Sequence, residues 1–260
     1  VKLVQLAAEK GLKGLSITDH DTTEGYVTAL PEAKKRGLRI LTGVEFSTVH
    51  KGTSVHLLAY GYALHHPAIR AFCQSHQKRR LGRNLKILEN LAKKGMLLKW
   101  EEVELNPTHK QTIGRPHIAL AMMKRGYIQS VQEAFHLYLG EGCSCYAEWA
   151  SYTPEETIDV IHQAEGQAVI AHPHLIDNRR LLEDLIQMPF DGIECFYGQF
   201  LPERHERWLK MAHKKNWLIT GGSDFHGAIK PMVSLGCSWI DEPTFDKLYA
   251  LQRPFTETAE

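Results

Sequence analysis

The sequence predicts an α/β protein, a (β/α) barrel or a doubly wound sheet, that gathers metal-ligating side chains at one mouth. Three observations predict it. First, short apolar runs end again and again in side chains that bind metals. Leu15-Ser16-Ile17-Thr18 runs into Asp19-His20-Asp21, and Ile40-Leu41-Thr42-Gly43-Val44 into Glu45. Ala168-Val169-Ile170-Ala171 runs into His172-Pro173-His174, and Trp217-Leu218-Ile219 leads through a glycine pair to Asp224-Phe225-His226. In parallel α/β folds functional groups collect at the C-terminal ends of strands, so these four runs point to one place. Second, strand-like and helical stretches alternate at both ends of the chain and not in its middle. Third, 260 residues with 43% hydrophobic and 23% charged content suit a globular enzyme-sized protein with a sizeable core.

Taken in order, residues 1–10 carry an amphipathic helical pattern that Gly11 ends. The chain starts at Val1 in what reads as the middle of an element, so an upstream segment is expected. A strand over 15–18 precedes the Asp-His-Asp turn. A helix over 23–36 follows, with Pro31 inside it and Gly37 at its end. Strands are predicted over 40–44 and 53–62. From 63 to 151 strand signals all but vanish. A long amphipathic helix is expected over 67–94, with further helices over 116–125 and 130–139, so this stretch is read as a helical insertion. The barrel itself is assigned to 1–62 and 152–260. There the rhythm resumes with helix 154–165, strand 167–171, helix 179–187, strand 190–196, helix 202–215 and strand 217–220. A last strand over 232–239 and a helix over 243–251 complete the reading.

Composition excludes several classes. No apolar run approaches the about 18 residues that a membrane span needs. A formal net charge of +1 provides no basic field for duplex nucleic acid. Five scattered cysteines are expected to be reduced thiols of a cytoplasmic protein, and Cys143-x-Cys145, without a second pair, is read as structural. Fifteen histidines are the unusual count, and imidazole is the commonest metal ligand.

Five ordered motifs carry a resemblance: I-T-D-H-D-T-T-x-G, G-V-E, V-H-L-L-A-Y, A-H-P and G-S-D-F-H-G. The chain is similar to the PHP (polymerase and histidinol phosphatase) family of metal-dependent phosphoesterases. Its insertion, with G-R-P-H-I-A, resembles the branch of nucleoside 3′,5′-bisphosphate phosphatases and 5′-to-3′ exoribonucleases of short RNA (ribonuclease AM). The resemblance implies a distorted seven-stranded (β/α) barrel around two or three divalent ions (Mn, Fe or Zn). It implies the ligands His20, Glu45, His56, His172, Asp224 and His226, of which His56 has the least support from the residues alone. The family opens with a strand bearing H-x-H; nothing here matches it, so the first strand is expected to be missing from this chain.

The implied chemistry is phosphoester hydrolysis through a hydroxide bridging the metals, on a nucleotide or short single-stranded RNA, with no membrane or stable duplex as partner. Glu45, Asp224 and His226 are assigned to catalysis, Glu45 as a two-oxygen bridge. Asp19 and Asp21 are assigned to fixing the charge and tautomer of the ligands, with helix capping as the alternative. Arg115 between Gly114 and Pro116 is expected to grip a substrate phosphate, with His117 and Arg83 nearby. Residues 78–94 hold seven basic side chains against Glu89, a pattern that also fits a solvated helix face. A second reading, a non-catalytic metal- or nucleotide-binding module, follows if the H-x-H strand is absent. An amidohydrolase-like enzyme would need a bridging lysine on a mid-barrel strand, and none is legible.

Overall fold

The computed structural model of the chain describes residues 1–104, 112–148, 152–198 and 200–255. It divides into two compact units, Val1–Cys73 with Tyr152–Glu260, and Gln74–Ser151. In chain order the elements are α1 (Lys2–Glu9), β1 (Gly14–Ile17), α2 (Gly25–Arg36), β2 (Arg39–His50), β3 (Thr53–Tyr60) and α3 (Pro67–Lys93). Next come α4 (Trp100–Val103), α5 (Arg115–Lys124), α6 (Val131–Ala134), α7 (Pro154–Gln163), β4 (Gln167–Ile170) and α8 (Arg179–Gln187). The chain ends with β5 (Gly192–Tyr197), α9 (Glu206–Lys215), β6 (Leu218–Gly222) and α10 (Glu242–Tyr249). Among the described residues no helix is long and apolar enough to cross a membrane.

The first unit is one sheet with spatial order β1-β2-β3-β4-β5-β6. β1–β2, β4–β5 and β5–β6 pair in parallel, whereas β3 runs against both of its neighbours. The reversal at β3 comes from a two-residue turn. Lys51 (φ 49°) and Gly52 (φ 80°) both have positive φ, which matches the right-handed twist of a hairpin. That hairpin carries β2 well beyond the five residues expected, because Phe46-Ser47-Thr48-Val49-His50 still has partners across the ladder.

Alternation then sorts the side chains onto two faces. Outward, Val44, Phe46, Val55, Leu57, Ala59, Ala168, Ile170, Ile193 and Cys195 pack with helix residues such as Ile69, Ile158, Leu185 and Trp208. Inward, Leu41, Leu58, Tyr60 and Val169 meet Leu248 of α10, with Leu218 against them. Side chains from β2, β3, β4 and β6 reach one helix, so the sheet curls around it into a half-barrel. After α10, the Gln252 carboxamide oxygen accepts the Thr42 N–H (2.7 Å), and the Arg253 N–H reaches the Gly61 carbonyl (2.7 Å). One end of the curl is thus filled with apolar side chains. The polar inward residues lie at the other.

The strand expected over 232–239 is not formed. Val233 and Cys237 instead close turns onto Lys230 and Ser234, Gly236 has φ 77°, and Met232 is almost fully exposed. The apolar content of M-V-S-L-G-C-S-W lacks a partner edge, so turn chemistry wins. The helix expected over 130–139 is split: Ser130 caps α6, and Phe135–Leu139 continues as a wider π-type turn closed by the Gly140 N–H on the Phe135 carbonyl.

The second unit is helical and has its own core of Ile87, Leu91, Val103, Ile118, Met122, Leu139 and Cys145. All five cysteines are free thiols.

Candidate metal centre

The inward face of the sheet changes character one step above the Leu41–Leu58–Val169 layer. Glu45 lies on the same face of β2 as Leu41, four residues on, and is 5% exposed. His56 lies on the same face of β3 as Leu58. Because β3 is antiparallel, His56 precedes the apolar layer instead of following it. His20 follows β1 and forms a parallel bridge with Glu45, and His172 follows β4. Asp224 and His226 follow β6.

The side chains meet closely. Glu45 Oε1 lies 2.8 Å from His56 Nδ1 and 3.1 Å from His172 Nε2, while Oε2 lies 3.7 Å from His20 Nδ1. His56 Nδ1 and His172 Nε2 are 3.2 Å apart. The His20 ring sits 4.9 Å from that of His56 and 5.9 Å from that of His226. Asp224 joins through Tyr197, whose hydroxyl donates to Asp224 Oδ2 (2.9 Å) and whose ring is 5.9 Å from that of His172. The Lys230 ammonium donates to the same Oδ2 (2.6 Å). The structure therefore gathers all six expected ligands in one cluster.

Electrostatics follow from this packing. Burial pushes the Glu45 carboxyl up, but the imidazoles of His20, His56 and His172 outweigh it and hold the group well below the usual carboxylate range. Burial disfavours charge on His172, yet its contact with Glu45 raises its affinity for a proton. Glu194, inward on β5, accepts the His172 backbone N–H (2.7 Å), and burial moves its carboxyl up to about 8. Three residues at the site have left-handed backbones without being glycine: Asp21 (φ 55°), His172 (φ 27°) and Asp224 (φ 52°). Strain of this kind collects where function over-determines geometry.

The donor set fits a divalent cation. Ligand atoms of His20, Glu45 and His56 all lie within 4.8 Å of one another, and imidazole nitrogen with carboxylate oxygen suits Mn, Fe or Zn.

Asp21 does not cap a helix, since the residue before α2 is Glu24, whose N–H is accepted by the Thr22 hydroxyl. Asp21 is instead fully buried, and its Oδ1 accepts the Ser47 N–H (2.9 Å). Its own N–H goes to the Glu45 carbonyl (2.9 Å), so it ties the His20 turn to β2. Asp21→Ala is expected to cost about 1–3 kcal/mol by orphaning the buried Ser47 N–H. Asp21→Asn, which keeps an acceptor and tolerates positive φ, is expected to cost less. Urea unfolding of the two variants checks the order, and equal losses would remove the hydrogen bond from the account. Asp19 keeps an exposed surface, but its carboxyl turns in beside Gly25 at the start of α2, where burial moves it up against the opposing pull of the His226 imidazole.

Arg115 occupies the first turn of α5. Its Nη1 donates to the Leu139 carbonyl (3.2 Å), and the guanidinium lies 5.5 Å from the ring centres of both Phe135 and Tyr146. His117 accepts the Gly114 N–H at Nδ1 (3.1 Å), and Arg83 donates to Asn84 Oδ1 (3.1 Å). These three residues belong to the second unit. His174 packs against Tyr197 and Phe200, and burial pulls its imidazole down to about 4.

Sequence reasoning missed Glu194 and Lys230. A glutamate inside the apolar run Gly192-Ile193-Glu194-Cys195-Phe196 was a usable signal, because buried strands rarely carry a charge without a purpose. For Lys230 no signal existed. Tyr197, at the end of the same run, has a hydroxyl that holds Asp224.

Fold and site together define a metal-dependent phosphoesterase, a hydrolase of the half-barrel α/β kind. The PHP domain model matches residues 1–171, and the chain belongs to the PHP family. It is 31% identical over 246 residues to the 5′-3′ exoribonuclease Rnm of Salmonella typhimurium, covering 92% of this chain and 81% of that protein. It is 28% identical to the phosphoribosyl 1,2-cyclic phosphate 1,2-diphosphodiesterase of Eggerthella lenta, covering 90% of this chain and 91% of that protein. To the 3′,5′-nucleoside bisphosphate phosphatase of Chromobacterium violaceum it is 29% identical, over 86% of this chain and 81% of that protein. A crystal structure of a Bifidobacterium adolescentis protein, provisionally described as a metal-dependent phosphoesterase, superposes with a TM-score of 0.87 at 31% identity. It covers 97% of this chain and 91% of that one.

Proposed function

We propose that this chain hydrolyses the 3′-phosphoester of nucleotides, acting on nucleoside 3′,5′-bisphosphates and on short RNA trimmed from its 5′ end. One observation carries the reading: Glu45 turns Oε1 toward His56 and His172 and Oε2 toward His20, so its two oxygens serve two groups of nitrogen ligands. His20, Glu45, His56, His172, Asp224 and His226 would hold the divalent cations. Such cations supply an activated water and Lewis-acid neutralisation of the phosphoryl oxygens. Asp224, with Oδ2 taken by Tyr197 and Lys230, keeps Oδ1 for the cluster and is held against rotation. The names of the relatives support the substrate class. Removing a 3′-phosphate and releasing a 5′-nucleotide from RNA both break a bond between phosphorus and a ribose 3′-oxygen.

The test compares three substrates with the manganese-loaded protein: a nucleoside 3′,5′-bisphosphate, a 5′-phosphorylated ribotrinucleotide and a phosphoribosyl 1,2-cyclic phosphate. Turnover of the first two, abolished by chelator, is expected. Preference for the cyclic ester would move the substrate to that of the Eggerthella relative. Tight metal binding without turnover of any would favour a binding module.

Arg115 is proposed to hold a substrate phosphate. Losing a buried charged contact costs on the order of 2–5 kcal/mol, so Arg115→Ala is expected to lower kcat/KM by at least about tenfold. Arg115→Lys should recover only part, because a point charge cannot reproduce the planar fork. Metal content should stay constant. A drop in the unfolding midpoint with no change in kcat/KM would leave Arg115 a packing residue on Leu139, Phe135 and Tyr146.

A further inference from the structure

We infer that Glu194 is a positioning residue for the metal centre: by accepting the His172 backbone N–H, it holds that residue in the left-handed conformation that aims its imidazole at Glu45. The inference rests on the metal-binding reading of this cluster.

Four observations carry it. His172 has φ 27° and ψ 58°, a region that β-carbon-bearing residues rarely occupy. Pro173 follows it, and the ring of a proline pushes the preceding residue toward extended backbone. Local sterics therefore oppose the observed conformation twice over, and something must hold it. Two hydrogen bonds grip its backbone: the N–H donates to Glu194 Oε2 (2.7 Å), and the carbonyl accepts from the Leu175 N–H (3.0 Å). Of these two, only the first ties the backbone to another strand.

The second observation is the cost of Glu194 itself. It is 6% exposed on β5, between the outward-facing core residues Ile193 and Cys195. A carboxyl group in such a place is strongly disfavoured unless it is paired. An apolar residue would serve packing better. The third is consequence: with the backbone held so, His172 Nε2 lies 3.1 Å from Glu45 Oε1 and 3.2 Å from His56 Nδ1. Relaxation of φ to an extended value would swing the ring away from both. The fourth is reach. Glu194 lies one strand over from His172 and on the inward face, so its side chain spans from β5 to the residues just past the end of β4.

The experiment separates reach from charge with three variants. Glu194→Gln keeps an acceptor oxygen at the same reach without the charge. Glu194→Asp keeps the charge and shortens the reach, and Glu194→Leu removes both. Two readouts are used: amide hydrogen exchange at His172 in metal-free protein, and manganese affinity by equilibrium dialysis. Glu194→Gln should retain His172 protection and near-parental affinity. Glu194→Asp and Glu194→Leu should lose the protection and weaken manganese binding by about 10–100-fold, the usual effect of removing a group that orients a ligand. If Glu194→Leu does not fold, the Gln and Asp pair still decides. Weak binding by Glu194→Gln with His172 still protected would make Glu194 a charged ligand and overturn the inference. Parental affinity in all three variants would overturn it as well. Failure of the parent protein itself to bind manganese would sink the metal reading, and the exchange data would still report on His172.

Discussion

Glu45→Ala is expected to abolish turnover, lowering kcat/KM by at least about 100-fold, the upper range already seen for groups that merely orient ligands. The carboxylate is the hub of the centre: it contacts His56 and His172 through one oxygen and His20 through the other. Its loss removes the one negative charge that all three imidazoles share. The fold should survive. Leaving a buried charge unpaired costs about 3–5 kcal/mol, but an imidazole with an ordinary pKa near 6.5 can shed its proton instead. Metal content after dialysis should fall in step with activity while the circular dichroism spectrum is unchanged. Near-parental kcat/KM in a metal-depleted variant would remove Glu45 from the centre. Glu45→Gln should resemble alanine, since it restores volume but not charge.

Tyr26→Ala is expected to be the most destabilising single change in the first unit, by about 3–5 kcal/mol for the lost ring alone. Tyr26 is 1% exposed on α2, and its hydroxyl joins two strands. It accepts the Gly43 N–H (2.7 Å) and the Ile17 N–H (3.1 Å) and donates toward the Ile17 carbonyl (2.7 Å). The two strands approach closely here, since a β-carbon added to Gly43 would meet the Ser16 hydroxyl and come within 2.8 Å of Thr18 Cγ2. Tyr26→Phe keeps the ring and leaves these backbone groups without the hydroxyl, which should cost about 1–3 kcal/mol. Both variants should also weaken metal binding, because β1 leads to His20 and β2 carries Glu45. Urea unfolding with manganese titration checks this. If Tyr26→Phe were as stable as the parent, the hydroxyl would not be what joins β1 to β2.

Short strands ending in the expected ligands were legible because their grammar is local. An apolar run with period two, a break, then Asp-His-Asp, Glu, His or Asp-x-His can be read without knowing the fold. That reading located His20, Glu45, His172, Asp224 and His226. It had little to say about His56, which lies inside a strand. The rule that functional side chains follow strands does not reach it, because β3 runs the opposite way. The hairpin that reverses it depends on Lys51-Gly52, a turn whose left-handed lysine has no strong signal. The strand expected over 232–239 failed for the converse reason: apolar content without an edge to pair with makes no strand.

The residue order by itself determined which side chains are available to a metal and the two-residue alternation that puts Glu45 and Leu41 on one face of β2. It also determined that a helical segment interrupts the α/β rhythm. Only the tertiary structure decided the direction of β3, the filling of one end of the curl by Leu248, and the convergence of β1, β2, β3, β4 and β6 on one cluster. It also decided that Glu194 reaches the His172 backbone and that Tyr197 and Lys230 share one oxygen of Asp224. The physical reason is range. Propensity and periodicity act over a few residues, whereas a buried carboxylate finds its partner 22 positions away, or 127, only when strand pairing brings the two together.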